Sequence, residues 1–248
     1  MAKNKEGGTK MAIETAFDAE FDSFAHEYES LHSANVTASG YPPSYFAEYK
    51  IKEIARHLRQ LGRLDKEVRF LNFGCGIGNS EAFIRKHIPR SIIYSTDVSS
   101  KSVEYARERH KDMTDVNYAV TDGRSLPFNR SFDVIFVANV LHHTPRAGHV
   151  RMLQMLRKAL TSEGWLFVFE HNPLNPLTLH AFNTCPFDKG AVLLPPWYGR
   201  KIFREAGFQR RRLRFTLFFP KLLAFLAPSE KYLNKVPFGA QYYIAAKR

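Results

Sequence analysis

The sequence predicts an α/β fold: a doubly wound, mostly parallel sheet with an N-terminal helical cap and an antiparallel C-terminal strand pair. Three observations predict it. From residue 68 to residue 169, short apolar runs alternate with segments of helical periodicity, the order expected of parallel strands joined by right-handed crossovers. The runs are apolar on successive residues, as in strands covered on both faces. The stretch Val68–Ser80, VRFLNFGCGIGNS, puts Gly74, Gly76 and Gly78 between the first run and the first helix.

The elements follow in order. Residues 1–12 are polar with little to bury and read as a disordered tail without a signal peptide. Ala16–Leu31 carries Phe17, Phe21, Phe24, Ala25 and Tyr28 as a helical stripe, and Ser44–Leu61 carries a second with Phe46, Tyr49, Ile51, Ile54, Ala55 and Leu58. SGYPP marks the loop between them. These helices make residues 13–65 a cap before the first strand. Strand Val68–Phe73 then leads to helix Ser80–His87, strand Ser91–Thr96 to helix Lys101–Lys111, and strand Val116–Thr121 to a loop and strand Phe132–Ala138. Helix Ala147–Leu160 ends at the turn TSEG before strand Trp165–Phe169. The two Asn-Pro steps of EHNPLNPLT favour turns and rigid loops. Helix Trp197–Ala206 stops at Gly207, and Arg211–Phe219 and Gln241–Lys247 complete seven strands. Residues 66–248 are thus expected as one domain, with insertions at about 172–196 and 218–236.

Charge is uneven. Residues 1–30 hold 3 Lys/Arg and 7 Asp/Glu, whereas residues 200–248 hold 12 Lys/Arg and 2 Asp/Glu, so the net +12 is largely a C-terminal property. A solvated face, an anionic membrane surface, an anionic substrate or RNA would each suit that excess. The two cysteines, Cys75 and Cys185, are too few for a disulfide framework, and no spacing suggests a metal site. A reducing, cytoplasmic setting is expected, peripheral membrane contact being compatible with it. No run of about 18 apolar residues is present.

The chemistry gathers at strand ends. A dinucleotide turn would read G-x-G-x-x-G, but Asn79 stands where its third glycine belongs. Asp97 ends the second strand, where an acid can accept from ribose hydroxyls, and Asp122 ends the third, where a carboxylate can accept from an adenine amine. Singly, the glycines could form a structural turn and each acid could be a turn residue or cap. Together they occupy three successive strand ends on one rim of the sheet, where open α/β sheets bind ligands.

With these residues the sequence resembles the class I S-adenosylmethionine-dependent methyltransferases, in their small-molecule (ubiquinone/menaquinone-methyltransferase-like) branch. The resemblance covers roughly Val68–Pro173 and rests on LNFGCGIGNS, YSTDVSSKSVEYAR, VTDGRSLPFNRSFDVIFVANVLHH and LRKALTSEGWLFVFEHNP. FDSFAHEYES adds the branch's Phe-x-x-x-Ala-x-x-Tyr leading helix. It implies a Rossmann-like seven-stranded sheet and S-adenosyl-L-methionine as cofactor. Gly74, Gly76 and Gly78 would pass under the methionine part, with Asn72 and Cys75 beside them. Asp97 and Val98 would take the ribose, Asp122 and Gly123 the adenine, and Ala138–Leu141, Asn139 among them, would line the methyl-donor end. One departure stands out: the family usually has an acid at the position of Asn72, and an amide keeps an acceptor oxygen but loses the charge.

Methyl transfer needs alignment, exclusion of water and, for some nucleophiles, a base. His142, His143 and His171 are the base candidates, the first two also reading as packing or capping residues, and Glu170 is an alternative. Tyr28, Tyr45, His171 and Asn172 are expected to meet a small, hydrophobic or aromatic acceptor. Phe17, Phe21, Phe182, Phe187, Trp197 and Tyr198 are further candidates for an aromatic lining. FTLFFPKLLAFL, flanked by Arg210, Arg211, Arg212, Arg214, Lys221 and Lys231, suits a lid over a lipophilic substrate, a membrane surface or a dimer contact. An RNA methyltransferase is the weaker reading, since an Asn/Asp-Pro-Pro-Tyr/Phe box is missing after Ala138, and a non-catalytic cofactor binder is the weakest.

Overall fold

The computed structural model describes residues 39–129, 131–185 and 190–248. The predicted helix Ala16–Leu31, with Phe17, Phe21 and Tyr28, and the residue Phe187 lie outside the described residues.

Seven strands form one sheet: β1 (Val68–Phe73), β2 (Ser91–Asp97), β3 (Val116–Val120), β4 (Phe132–Ala138), β5 (Leu160–His171), β6 (Arg211–Thr216) and β7 (Gln241–Lys247). Their order is β3-β2-β1-β4-β5-β7-β6. β1 to β5 pair in parallel, and β7 runs antiparallel to both neighbours, β5 and β6. The chain winds outward from β1 in one direction through β2 and β3, then restarts on the other side at β4. The carboxyl ends of β1 and β4 therefore flank the crevice where strand order reverses.

Both faces are covered. Along β1, Val68 and Phe70 pack with Ile51, Ile54 and Leu58 of α1 (Pro43–Gln60) and Ile84 of α2 (Glu81–His87). Leu71 and Phe73 join the opposite core, with Leu153 and Leu156 of α4 (Arg146–Ala159) and Ile202 and Phe203 of α6 (Pro196–Glu205). Helix α3 (Ser100–Arg109) connects β2 to β3, with the Ser99 hydroxyl accepting from the Ser102 amide as its N-cap. Such fully buried strands explain why the runs read as continuously apolar.

Three elements differ from expectation. TSEG is not a turn: β5 runs through it, and the register shifts between Phe132 and Val134 where the extra residues are absorbed as a bulge. The second Asn-Pro step opens a helix, α5 (Pro176–Thr184), because Asn175 accepts from the Thr178 amide and Pro176 sits in the first turn, where no amide proton is needed. β6 stops at Thr216, since Leu217 has φ +63 and turns the chain away. The following segment is a 3-10 helix, Lys221–Ser229, and a short helix α7 (Glu230–Leu233). Glu230 ties this segment back to α1 and to the chain after β6: its carboxylate accepts from the Tyr49 hydroxyl (2.6 Å) and the Phe218 amide (2.8 Å). Among the described residues no helix is long and apolar enough to cross a membrane.

Candidate active site

The carboxyl ends of β1, β2 and β4 open into a cavity of about 1290 Å³. A pocket for one small molecule is commonly ~300–1,000 Å³, and this one is larger. One wall is formed by Asn72, Gly74, Cys75, Gly76, Asp97, Val98, Asp122, Gly123, Ala138 and Asn139, all expected at the cofactor.

The glycine turn is held by backbone and by an acid. The amides of Gly74 and Cys75 donate to the Thr96 carbonyl at 2.8 and 3.1 Å. Gly74 has φ +78, and a Cβ there would lie 2.3 Å from Val140 Cγ2, so only glycine fits. Gly76 has φ +52 and a Cβ would meet nothing within 4 Å: the bare peptide borders open cavity, a cradle for a ligand. Gly78 is different and corrects the sequence reading. It does not line the cavity but packs on α3, its carbonyl meeting His110 Nε2 at 2.7 Å.

Asp97 Oδ2 accepts from the Gly76 amide (2.7 Å) and Oδ1 from the Ser99 amide (3.0 Å). Burial pushes its carboxyl up, against the lowering effect of those amides. Asp122 is exposed, and the amides of Arg124 and Ser125 hold its carboxyl below the usual range. Asn139 has φ +58 at the end of β4, and its buried Oδ1 has no hydrogen-bond partner among the described residues. A bare-backbone cradle, two acids and an orphaned acceptor together fit a molecule with polar groups at both ends.

Sequence reasoning missed the residue behind this wall. Glu81, fully buried at the start of α2, accepts from Asn72 Nδ2 (2.9 Å), the Ser95 hydroxyl (2.6 Å) and the Ser80 amide (3.1 Å). Position 81 alone reads as an ordinary first-turn acid.

The other end of the cavity holds the histidines. Strands β4 and β5 lie side by side, which places the 3-10 turn Leu141–His143 against Glu170. Glu170 Oε2 meets His142 Nδ1 at 2.6 Å, and Oε1 accepts from the Leu141 amide at 3.0 Å. Both side chains are buried. A carboxylate only accepts, so Nδ1 carries a proton in this bond, and Nε2 is the ring nitrogen turned away from Glu170, itself buried. His149, also buried, fixes the same turn: Nε2 donates to the carbonyls of Leu141 and Thr144, leaving Nδ1 to accept from the Tyr198 hydroxyl (3.0 Å). The His142 ring lies 4.2 Å from His143, 5.4 Å from His171 and 5.8 Å from Phe182, and all four residues line the cavity.

The remaining wall is largely apolar: Tyr41, Phe46 and Ala47 from α1 and the loop before it, Phe182 from α5, and Leu217, Phe218 and Phe219 after β6. Lys50 is the exception. It is 5% exposed, and its Nζ donates only weakly, to the Phe46 carbonyl at 3.3 Å. Burial lowers its pKa to about 8, with the Glu170 carboxylate acting in the opposite direction. Two expected acceptor contacts move elsewhere. Asn172 is fully buried and structural, its Nδ2 donating to the carbonyls of Pro237 and Gly239. Tyr45 stacks on Tyr41 with ring centroids 3.7 Å apart but does not line the cavity, nor do Trp197 and Tyr198.

Residues 70–164 match the family model described as a methyltransferase domain. A highly reducing polyketide synthase of Glarea lozoyensis is 34% identical over 123 residues, covering 45% of this chain and 5% of that protein. The demethylmenaquinone methyltransferase of Thermotoga maritima is 32% identical over 108 residues, covering 43% of this chain and 45% of the relative. The chain thus spans only 5% of the length of that polyketide synthase and under half of the second relative. Among solved structures, a SAM-dependent methyltransferase of Thermotoga maritima superposes with TM-score 0.63 at 19% identity, over 93% of this chain and 99% of that one. The citrinin polyketide synthase CMeT domain does so with TM-score 0.59 at 20% identity, over 79% and 52%. At such identities the superpositions establish the fold.

Proposed function

We propose that the chain, whose residues 70–164 match a methyltransferase-domain model, is an S-adenosylmethionine-dependent methyltransferase that acts on a small acceptor at a carbon flanked by carbonyl groups, with His142 as the base. The observation that carries this is the buried His142–Glu170 pair, of which His142 lines the cavity and Glu170 stands behind it. Bound S-adenosyl-L-methionine supplies an electrophilic methyl group on a sulfonium, which needs no further activation. The chain's work is to position it and to prepare the acceptor. Asp97 and the Gly76 peptide would receive the ribose and the methionine part, and Asp122 the adenine. Glu170 holds Nδ1–H of His142, so Nε2 can take a proton from the acceptor and the carboxylate stabilises the imidazolium that forms. The carbon so deprotonated would be the nucleophile for the methyl group that bound S-adenosyl-L-methionine would supply, the sulfonium being released as the neutral thioether. Lys50 lines the same cavity with a single long hydrogen bond, and its ammonium would take the oxyanion that develops on the acceptor's carbonyl. Tyr41, Phe46 and Phe182 would exclude water around an apolar acceptor.

The solved structures include methyltransferases named for oxygen, nitrogen and carbon alike, and the choice of carbon here rests on the polyketide synthases. These recur among the relatives, and the carbon methyltransferase among the solved structures is that of CurJ. The test is methyl transfer from methyl-labelled S-adenosylmethionine to the N-acetylcysteamine thioester of acetoacetate, read by mass spectrometry. Methylation at the carbon between the carbonyls supports the reading, and transfer confined to hydroxyl or amine acceptors overturns it.

A membrane-delivered acceptor is a second reading, favoured by one surface. Leu222 is 88% and Phe225 74% exposed, beside Lys221, Lys231 and Lys235, while the segment's acid, Glu230, is turned inward. Arg210, Arg211 and Arg212 stand at the other end of β6 and border a separate pocket with Glu163 and Lys247. Co-sedimentation with anionic vesicles that is lost in Leu222→Ser/Phe225→Ser would support the reading; absence of vesicle binding by the unaltered chain would end it.

A further inference from the structure

We propose that Glu81 supplies, through Asn72, the negative charge that receives the cofactor's ammonium group, so that the acid missing at position 72 has been moved one layer back. This rests on the cofactor reading above. Asn72 lines the cavity at the glycine turn, next to Gly74 and Gly76, where the methionine part would lie. Glu81 is not among the lining residues and stands behind Asn72, fully buried. A buried carboxylate persists only when paired or well hydrogen-bonded. This one has three donors, Asn72 Nδ2, the Ser95 hydroxyl and the Ser80 amide, but no lysine or arginine bridges to it among the described residues. A cation arriving in the cavity would provide the missing counter-charge.

The amide also has a defined direction. The carboxylate can only accept, so Nδ2 must face Glu81, and Oδ1 is then the amide atom that can accept an ammonium proton. The charge on Glu81 polarises the amide in the sense that makes Oδ1 a stronger acceptor. The chain carboxylate, amide, ammonium places opposite charges across one buried side chain, and a buried carboxylate is less screened than an exposed one. Glu81 is therefore a positioning residue for the cofactor.

The experiment is calorimetric titration of Glu81→Gln with two probes: S-adenosylhomocysteine, which carries the ammonium, and 5′-methylthioadenosine, which lacks the amino-acid part. The expected result is a loss of roughly tenfold in affinity for S-adenosylhomocysteine and no change for 5′-methylthioadenosine. Moving the charge forward in Asn72→Asp/Glu81→Gln restores the first affinity. If the single variant does not fold, Asn72→Ser, which cuts the link while leaving Glu81 on Ser95 and Ser80, gives the same selective loss. Equal losses for both probes would make Glu81 a structural residue and overturn the proposal, as would no loss for either. If the unaltered chain binds neither probe, the cofactor reading itself fails, a result distinct from failure of the Glu81 assignment alone.

Discussion

The two walls of the cavity are built differently. The wall of Gly74, Asp97 and Asp122 is made of strand ends taken in chain order, β1, β2 and β3, and its working parts are peptide groups and carboxylates. The wall of Tyr41, Phe46, Lys50, Phe182 and Leu217–Phe219 draws on three distant stretches, and its parts are mostly side-chain carbon. A turn and an acid at fixed strand ends tolerate little change, because each peptide must point in one direction. An apolar wall needs only volume and exclusion of water, and different sequences supply it.

The contrast predicts unequal sensitivity. The largest effect belongs to Gly74→Val, which adds a Cβ at a point 2.3 Å from Val140 Cγ2 in a backbone with φ +78. It should cost about 4 kcal/mol or more, seen as loss of folded, soluble protein or a collapsed Tm. His142→Ala and Glu170→Gln come next, each lowering kcat about 10²–10⁴-fold. Titration with S-adenosylhomocysteine should show its affinity changed less than about threefold, since neither residue belongs to the cofactor wall. Asp97→Asn does the reverse: cofactor affinity falls about tenfold to hundredfold, as a charge-assisted bond is lost, while acceptor selectivity is kept. A variant in which all three properties fell together would break the division of the cavity into two walls.

Lys50→Met gives a smaller and opposite pair of effects. The ordinary lysine value of 10.5 is lowered to about 8 by burial. Below pH 8 both states are protonated and the buried charge costs the native state stability. Between 8 and 10.5 the unfolded chain binds the proton that the native state has released, so this cost is relieved as pH rises. Replacement by Met should therefore stabilise the protein by about 1–3 kcal/mol at pH 7 and flatten the rise in stability above pH 8. It should also lower kcat about tenfold or more. Thermal unfolding across pH 6–10 beside steady-state rates checks both parts. The smallest effect is expected of Phe225→Ser, whose side chain is 74% exposed: stability within about 0.5 kcal/mol and cofactor affinity unaltered.

The same division explains what the sequence disclosed. β1, β4 and β7 match their predicted bounds because each is a predominantly apolar run. Asp97 and Asp122 could be placed because the end of a strand fixes where its next residue lies. Lys50 could not, since a lysine inside the α1 stripe carries no sign that it is buried over a cavity. Glu170 was a secondary base candidate, and its pairing with His142 follows only from the β4–β5 register. Glu81 was invisible for the same reason: nine residues separate it from Asn72, and α2 brings them together. Asn172 misled because its neighbour His171 lines the cavity while it points into the Pro237–Gly239 backbone.

The central claim, that one cavity holds a cofactor wall and a separate base, can be tested without methyl transfer. With S-adenosylhomocysteine bound and D₂O as solvent, proton NMR would follow exchange at the carbon between the carbonyls of the acetoacetyl thioester. The unaltered chain should accelerate that exchange, and His142→Ala should bring it back to the solvent rate while still binding S-adenosylhomocysteine. Equal exchange rates in the two proteins would contradict the assignment of His142 as the base.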